Sequence, residues 1–122
     1  SRLPAHATAT GRVLLSLRDE AEWDGLIAGL DLAPVTERTV ADATRFREIL
    51  AETRAKGWAL VDQELEIGLL SIATPLRRAG GEVAGAINVG VPTLRATPER
   101  MIAEALPRLE DCAARIASAL AQ

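Results

Sequence analysis

The sequence has 122 residues, of which 48% are hydrophobic and 25% are charged. That balance is typical of one globular domain and excludes a chain that is disordered throughout. The net charge is −3 and the basic residues are scattered along the chain, which argues against a nucleic-acid-binding surface.

Apolar periodicity predicts two short helices near the start of the chain. The first covers about residues 7–17, where Val13 and Leu17 lie on one helical stripe. Asp19 and Glu22 have the spacing of a capping box and precede the second helix. Each helix has a single apolar face, so each is expected to pack against another element.

A third helix and three strands are predicted in the middle of the chain. Asp42 can cap a helix that ends at Gly57, because glycine readily adopts the left-handed conformation of a helix end. Short apolar runs separated by turn residues then predict strands at about residues 58–61, 69–76 and 82–89. A glycine-containing turn joins the last two strands, which predicts an antiparallel hairpin.

The last predicted helix begins at Thr97 and Pro98, an N-cap followed by proline at the first helical position. Pro107 lacks a backbone donor, so a local bend is predicted where it interrupts the helix. Cys112 has helical spacing to its apolar neighbours and is predicted to be a small core residue. The apolar stripe of this helix consists of Ile102, Leu106, Leu109, Ala113, Ile116 and Leu120.

Cysteine content and hydropathy limit the possible classes of protein further. Cys112 is the only cysteine, so neither an intramolecular disulfide nor a multi-cysteine metal site is predicted, and no cofactor or metal is expected. No apolar run approaches the ~20 residues that a membrane-spanning helix requires. The chain starts without a secretory signal pattern, so a cytoplasmic location is predicted.

A candidate anion site lies at the start of the first predicted helix. The turn at residues 9–11 offers free backbone N–H groups at the positive end of a helix dipole. Ser71 and Asn88 bring polar side chains from two neighbouring strands, and Gly90 leaves space for a ligand. If these residues share one face, donors from three elements converge on a small carboxylate.

Other functions use some of the same residues. A small hydrolase would use Ser71 with His6, and it requires the two side chains to lie within hydrogen-bond reach. Asp62 and Glu64 would act as a catalytic pair only if one strand continued through both. His6 is more simply explained as a packing or capping residue, so the chain is not predicted to be an enzyme. A further alternative is an oligomerisation module whose last helix packs against a partner subunit.

Three stretches carry a resemblance to a known family. They are LPAHATATGRVLLSL at residues 3–17, GWALVDQELEIGLLSIATPL at residues 57–76 and GEVAGAINVGVP at residues 81–92. In order and spacing they resemble the effector-binding domain of the isocitrate lyase regulator (IclR) family of bacterial transcription factors. The segments GRVLL and GWALVDQELE are most similar to the branch that regulates aromatic-acid and β-ketoadipate catabolism.

The resemblance implies an α+β fold of the GAF-like kind, in which helices pack on an antiparallel sheet. It implies that residues 1–122 hold most of the effector-binding domain. The first elements of that domain, and a winged helix-turn-helix that binds DNA, would then belong to a longer parent protein. It also implies a small organic acid as the effector and a homodimer or homotetramer as the assembly.

The resemblance places the effector between the first helix and the sheet. Three residues depart from the family pattern: Val61 stands where many relatives have an acidic residue, Ser71 where some have cysteine, and Asn88 where some have serine. The altered pocket favours an aromatic acid or a longer dicarboxylate over two- and three-carbon acids. Helix capping by Thr10 and turn formation by Asp62 are structural alternatives. Carried over by position, the ligand-binding residues are Ala9, Thr10, Val61, Asp62, Leu69, Ser71, Asn88 and Gly90.

Overall fold

The computed structural model of the chain describes residues 4–121. Its helices are α1 (Ala9–Ser16), α2 (Trp23–Ala28), α3 (Ala43–Lys56), α4 (Pro98–Arg100) and α5 (Leu106–Leu120), and its strands are β1 (Ala59–Asp62), β2 (Leu69–Arg77) and β3 (Val83–Pro92). Short 3-10 turns at Ala5–Ala7 and Glu20–Glu22 precede α1 and α2, and a π-helical turn at Met101–Ala105 joins α4 to α5. The order of helices and strands is the predicted one.

The start of α1 is set by Thr8 rather than by the predicted residue 7. The Thr8 hydroxyl accepts a hydrogen bond from Gly11 N at 3.0 Å, which satisfies one of the donors that a helix start leaves free. The first α-helical residue is therefore Ala9. The segment Ala5–Ala7 forms a separate 3-10 turn instead of extending the helix.

The second helix does not begin with the capping box predicted for Asp19 and Glu22. Asp19 Oδ1 accepts a hydrogen bond from Ala21 N at 3.2 Å. The Glu22 carboxylate, however, pairs with Arg18 Nη2 at 2.6 Å rather than with the backbone of Asp19. A 3-10 turn forms at this point, and α2 follows from Trp23.

Both ends of α3 are confirmed. Asp42 Oδ2 accepts a hydrogen bond from Arg45 N at 2.8 Å, which caps the start of the helix. Gly57 ends the helix with a left-handed φ of 84°, and its amide donates to Thr53 O at 2.8 Å. The chain turns from this glycine into β1.

The sheet is antiparallel, with strand order β1–β2–β3. Val61 pairs with Ser71 and Ser71 with Gly90, so these three residues form one row across the sheet. Side chains alternate between faces along a strand, so the row that contains Ala73 and Asn88 lies on the same face. The third strand runs beyond its predicted end because it pairs with nearly the whole length of β2.

Helices cover both faces of the sheet. α1 packs on one face, and the π-helical turn and α5 pack on the other. Helices on an antiparallel sheet confirm the predicted α+β fold class. The buried cluster under α1 is Ala9, Val13, Ala59, Val61 and Ala73, the cluster under α5 is Leu70, Ile72, Met101 and Leu106, and a third cluster of Trp23, Ile27, Phe46 and Leu50 lies between α2 and α3.

The C-terminal helical segment is irregular where the sequence predicts a bend. The π-helical turn at Met101–Ala105 comes directly before Leu106 and Pro107, and Pro107 cannot donate a backbone hydrogen bond. Thr97 caps α4 by accepting a hydrogen bond from Arg100 N at 3.2 Å. The predicted start of this segment is therefore confirmed, and the irregularity lies just before the proline.

The core position predicted for Cys112 is wrong, because this residue is exposed. α5 is buried along the line of Leu106 and Ala113, which lie on the same side of the helix. Cys112 is one residue from that line, a rotation of about 100° around the helix axis, and it lines an open hollow between β3 and α5. The predicted stripe is covered only in part, since Ile102 is 40% exposed and Leu120 is 44% exposed.

Candidate functional site

A cavity of about 460 Å³ lies between the start of α1, the loop after β1 and the α1 face of the sheet. Its walls are mainly apolar side chains and backbone, with a few hydroxyl and amide groups, which is the usual composition of a small-molecule site. The lining residues are Ala5, Ala7, Thr8, Ala9, Thr10, Gly11, Val61, Leu65, Leu69, Ser71, Asn88 and Gly90.

The cavity brings together seven of the eight predicted binding residues. The eighth, Asp62, is absent from the lining, and its Oδ2 accepts a hydrogen bond from Arg38 Nη2 at 2.9 Å. Successive strand residues point to opposite faces, so Val61 faces the cavity and Asp62 faces away from it. The seven are Ala9, Thr10, Val61, Leu69, Ser71, Asn88 and Gly90.

The first turn of α1 forms a polar end of the cavity. The first intrahelical bond is made by Arg12 N, which donates to Thr8 O at 3.1 Å. The amides of Ala9 and Thr10 precede that bond, at the positive end of the helix dipole. An anion at this end would be held by backbone donors rather than by a basic side chain.

The structure adds five residues to the predicted binding set. Thr8 with Gly11 three residues later has the spacing of an N-cap and its bonded amide, and that signal is present in the sequence. Leu65 carries no comparable signal, because its loop is held by residues far away in the chain. The five are Ala5, Ala7, Thr8, Gly11 and Leu65.

The residues that line the cavity, within the described range 4–121, include no Asp, Glu, Lys, Arg or His. Arg12 follows the lining residue Gly11, but it is paired with Glu64, with Nη2 and Oε1 2.5 Å apart. Both side chains are buried, at 4% and 11% exposure. Because two opposite charges at this separation largely cancel, the pair adds little net field to the cavity.

Glu64 is held by more than this ion pair. Its Oε1 also accepts a hydrogen bond from Val40 N at 2.9 Å, and its backbone oxygen accepts one from Thr39 Oγ1 at 2.5 Å. The carboxylates of Glu64 and Asp62 are therefore bound to different partners. They do not form the catalytic pair considered from the sequence.

The packing role predicted for His6 is confirmed. His6 is buried, its Nε2 lies 2.8 Å from Ala33 O, and its ring stands edge-on to Phe46 with the ring centroids 6.5 Å apart. Nε2 must carry the proton, since a carbonyl oxygen can only accept. That nitrogen is therefore not a free base for Ser71, and the hydrolase hypothesis loses support.

Another hollow, of about 410 Å³, lies on the α5 side of the sheet, between β3 and α5. Its walls include the charged side chains of Arg95, Glu104 and Arg108, and none of the predicted binding residues. Within residues 4–121, no group of three or more His, Cys, Asp or Glu side chains is placed to hold a metal ion. No helix in the described part of the chain has both the length and the apolar character needed to cross a membrane.

The sequence matches a known family along nearly its whole length. A family model described as "Bacterial transcriptional regulator IclR C-terminal" matches residues 1–118. The chain belongs to this family. The three stretches that resemble IclR effector-binding domains all lie within the matched range.

Curated relatives of this IclR-type domain are named as transcriptional regulators. The Pca regulon regulatory protein of Pseudomonas putida is 40% identical over 108 residues, which cover 88% of this chain and 37% of that protein. The p-hydroxybenzoate hydroxylase transcriptional activator of Acinetobacter baylyi is 39% identical over 116 residues, which cover 93% of this chain and 42% of that protein. The chain thus spans about two fifths of the length of these relatives, and it is a regulatory rather than an enzymatic domain.

A solved IclR-type domain has the same fold. It is the inducer-binding domain of the PobR transcription factor from Acinetobacter, a double mutant in complex with 3-hydroxybenzoic acid. The two structures agree with a TM-score of 0.90 at 36% identity, over 96% of this chain and 67% of that one. The chain therefore belongs to the effector-binding domain of an IclR-family regulator.

Proposed function

We propose that this chain senses a small organic acid for a longer IclR-type regulator, and that the acid binds in the cavity at the start of α1. The observation that carries the proposal is a ligand-sized cavity with apolar walls and the first turn of a helix at one end. A similar domain, that of PobR, has been solved with 3-hydroxybenzoic acid. That similarity favours an aromatic acid as the ligand class.

The lining favours an acid with one carboxylate and an apolar body. One carboxylate can be held by the amides of Ala9 and Thr10. A second carboxylate inside the cavity would lie among Val61, Leu65 and Leu69 with no cation in the lining to balance it. Burial of an unpaired charge costs several kcal/mol, so an aromatic monocarboxylate fits better than the dicarboxylate considered from the sequence.

Ser71 and Asn88 are the residues proposed to recognise neutral polar groups of the acid. They lie on neighbouring strands, on the sheet face that lines the cavity. A hydroxyl and an amide can both donate and accept hydrogen bonds, so together they suit a ring hydroxyl or a carbonyl. Asn88 and Gly90 are exposed, which makes the β3 side the entrance in this structure.

The proposed mechanism is linkage between the acid and the assembly of the parent regulator. An acid that binds one arrangement of the effector domains more tightly shifts the population towards it. The parent is proposed to be a cytoplasmic homodimer or homotetramer. It would contact DNA through a winged helix-turn-helix domain outside the present sequence.

A panel of acids tests the proposed function directly. Purified chain is titrated with 3-hydroxybenzoate, 4-hydroxybenzoate, protocatechuate, β-ketoadipate, glyoxylate and pyruvate while its thermal unfolding is followed. An acid present at 100 times its Kd is expected to add about 2.7 kcal/mol to the free energy of unfolding. The same panel is applied to the full-length parent. If neither protein responds to any of these acids, the proposal fails.

Loss of one polar side-chain group that lines the cavity is expected to weaken binding of the acid found in that panel. Thr10→Val and Asn88→Ala should each cost about 1–3 kcal/mol of binding free energy, measured by isothermal titration calorimetry. Thr74→Val is the matched control, since the Thr74 hydroxyl lies outside the cavity and donates to Gly57 O at 3.5 Å. Wild-type affinity in both cavity variants would exclude this cavity as the site.

A further inference from the structure

Arg12 and Glu64 form an ion pair directly behind two walls of the cavity. Arg12 follows Gly11 in the first turn of α1, and Glu64 precedes Leu65 in the loop after β1. Gly11 and Leu65 both line the cavity, whereas the two charged residues do not. The ion pair therefore joins the helix wall to the loop wall from outside the ligand space.

Arg12 uses two different nitrogens for this purpose. Its Nη2 donates to Glu64 Oε1 at 2.5 Å, and its Nε donates to His6 O at 2.9 Å. The guanidinium group thus also holds the segment Ala5–Ala7, which contributes two further lining residues. A lysine carries one nitrogen and cannot reproduce this forked arrangement.

The loop that carries Leu65 is fixed at both ends. Gln63 N donates to Leu69 O at 2.9 Å, and Gly68 N donates to Gln63 Oε1 at 3.0 Å. Thr36 Oγ1 donates to Gln63 O at 2.8 Å. With Glu64 bound to Arg12 and to Val40 N, the loop has little freedom to move relative to α1.

We infer that Arg12 and Glu64 are positioning residues, which set the spacing between the first turn of α1 and the Leu65 loop that the acid requires. The inference rests on the proposed function and adds to it a role for two residues outside the cavity. It also assigns Arg12 a role other than that of a counter-ion to the acid. A buried arginine beside an acid site is expected to be such a counter-ion, but here the Arg12 guanidinium is already paired with the Glu64 carboxylate.

The positioning role and the counter-ion role predict opposite results. In Glu64→Gln, Arg12 is released from its carboxylate partner. If Arg12 were the counter-ion of the acid, this change would tighten binding, and Arg12→Lys would keep it. If the pair positions the cavity walls, both variants weaken binding. Arg12→Lys removes one of the two donors that hold the 3-10 turn and the loop, and Glu64→Gln removes the negative charge that strengthens the bond between Arg12 and the loop.

The first arm of the test measures binding of 3-hydroxybenzoate by calorimetry, at a temperature where circular dichroism shows each variant to be folded. Glu64→Gln and Arg12→Lys are each expected to raise Kd at least about tenfold, which corresponds to about 1.4 kcal/mol. Leu50→Ala is the stability control, because it opens a cavity between α2 and α3, away from the site. Unchanged Kd in both charged-residue variants, or tighter binding in Glu64→Gln, overturns the inference.

The second arm needs no ligand and separates this inference from the proposed function. Hydrogen exchange of the Gly68 amide is measured in the wild type, Arg12→Lys and Leu50→Ala. We expect exchange at Gly68 to be at least about tenfold faster in Arg12→Lys than in Leu50→Ala after correction for global stability, because the loop opens locally. If no acid of the panel binds this chain or its full-length parent, the proposed function fails, and this arm alone decides the role of the pair. Equal exchange at Gly68 in the two variants rejects positioning.

Discussion

Gly11 allows the 3-10 turn at Ala5–Ala7 to lie directly against the first turn of α1. A Cβ atom at this position would overlap the carbonyl oxygen of Ala5 and would lie 2.7 Å from Thr8 Oγ1. The same Thr8 oxygen accepts the hydrogen bond from Gly11 N that caps the helix. The cap and one wall of the cavity therefore both depend on the absence of a side chain here.

Gly11→Ala is expected to lower the free energy of unfolding by about 1–3 kcal/mol, because the methyl group forces the 3-10 turn away from α1. Urea denaturation measures the change. Gly25→Ala is the matched control, since no heavy atom lies within 4 Å of a Cβ built there. Alanine in that helix should stabilise by roughly 0.5–1 kcal/mol. Destabilisation of the two variants by equal amounts would contradict this account of Gly11.

At the residue scale, contacts between residues close in the sequence can be predicted, whereas contacts between residues far apart in the sequence cannot. The helix start near Thr10 follows from hydroxyl residues placed before an apolar stripe, although Thr8 is the residue that caps it. Asp62 was carried over by position, and the alternation of a strand explains why it turns away. The Arg12–Glu64 pair joins residues 52 positions apart, and no local pattern in the sequence indicates such a partner.

At the scale of single elements, β2 separates two environments within two consecutive residues. Ser71 lines the cavity under α1, whereas Ile72 is fully buried in the cluster under α5. The alternation of side chains along a strand gives them these opposite directions. A substitution at one position is therefore expected to affect binding and a substitution at the other to affect stability.

Ile72→Ala should reduce the free energy of unfolding by about 2–5 kcal/mol and leave the Kd of the bound acid unchanged, because it empties space on the far side of the sheet. Ser71→Val should have the reverse pattern, with little loss of stability and weaker binding. Urea denaturation measures the free energy of unfolding of each variant, and calorimetry measures its Kd. A large rise in Kd for Ile72→Ala would show that the two faces are coupled.

A helix or strand can be predicted from the sequence where its ends are set by its own residues. Gly57 and the apolar runs after it gave the positions of β1 and β2, because a helix stop followed by a short apolar run favours a strand. β3 ends at Pro92 rather than at the predicted residue 89, since its end is set by pairing with β2 rather than by its own residues. Cys112 is exposed although its spacing predicts burial, because helical periodicity does not reveal how wide a sheet the helix must cover.

At the scale of the whole molecule, α1 connects the parts of the core. It packs against α3 and against all three strands. Trp23 lies in the cluster between α2 and α3, whereas Trp58 packs beside the cluster under α5. The two tryptophans therefore report on different clusters of the core, which are connected through α1 and the sheet.

We expect the core to unfold as one unit, because loss of α1 would expose both of the sections it joins. In Trp58→Phe the fluorescence reports Trp23, and in Trp23→Phe it reports Trp58. Each variant is unfolded in urea and followed by fluorescence and by circular dichroism. Coincident midpoints of the two signals within each variant are expected. A separate, earlier transition of Trp23 would indicate that α2 and α3 unfold independently of the sheet.

The two faces of the sheet are expected to place different constraints on which substitutions are tolerated. Residues at alternate positions of β2 and β3 face the cavity, and the residues between them hold the C-terminal helix. Substitutions in the first set are expected to alter which acid the proposed site accepts without loosening the interface formed by the second. Under the proposed function, a lineage with this architecture is expected to acquire new chemical signals by changing every other residue of two strands, while the packing of the sheet against the C-terminal helix stays the same.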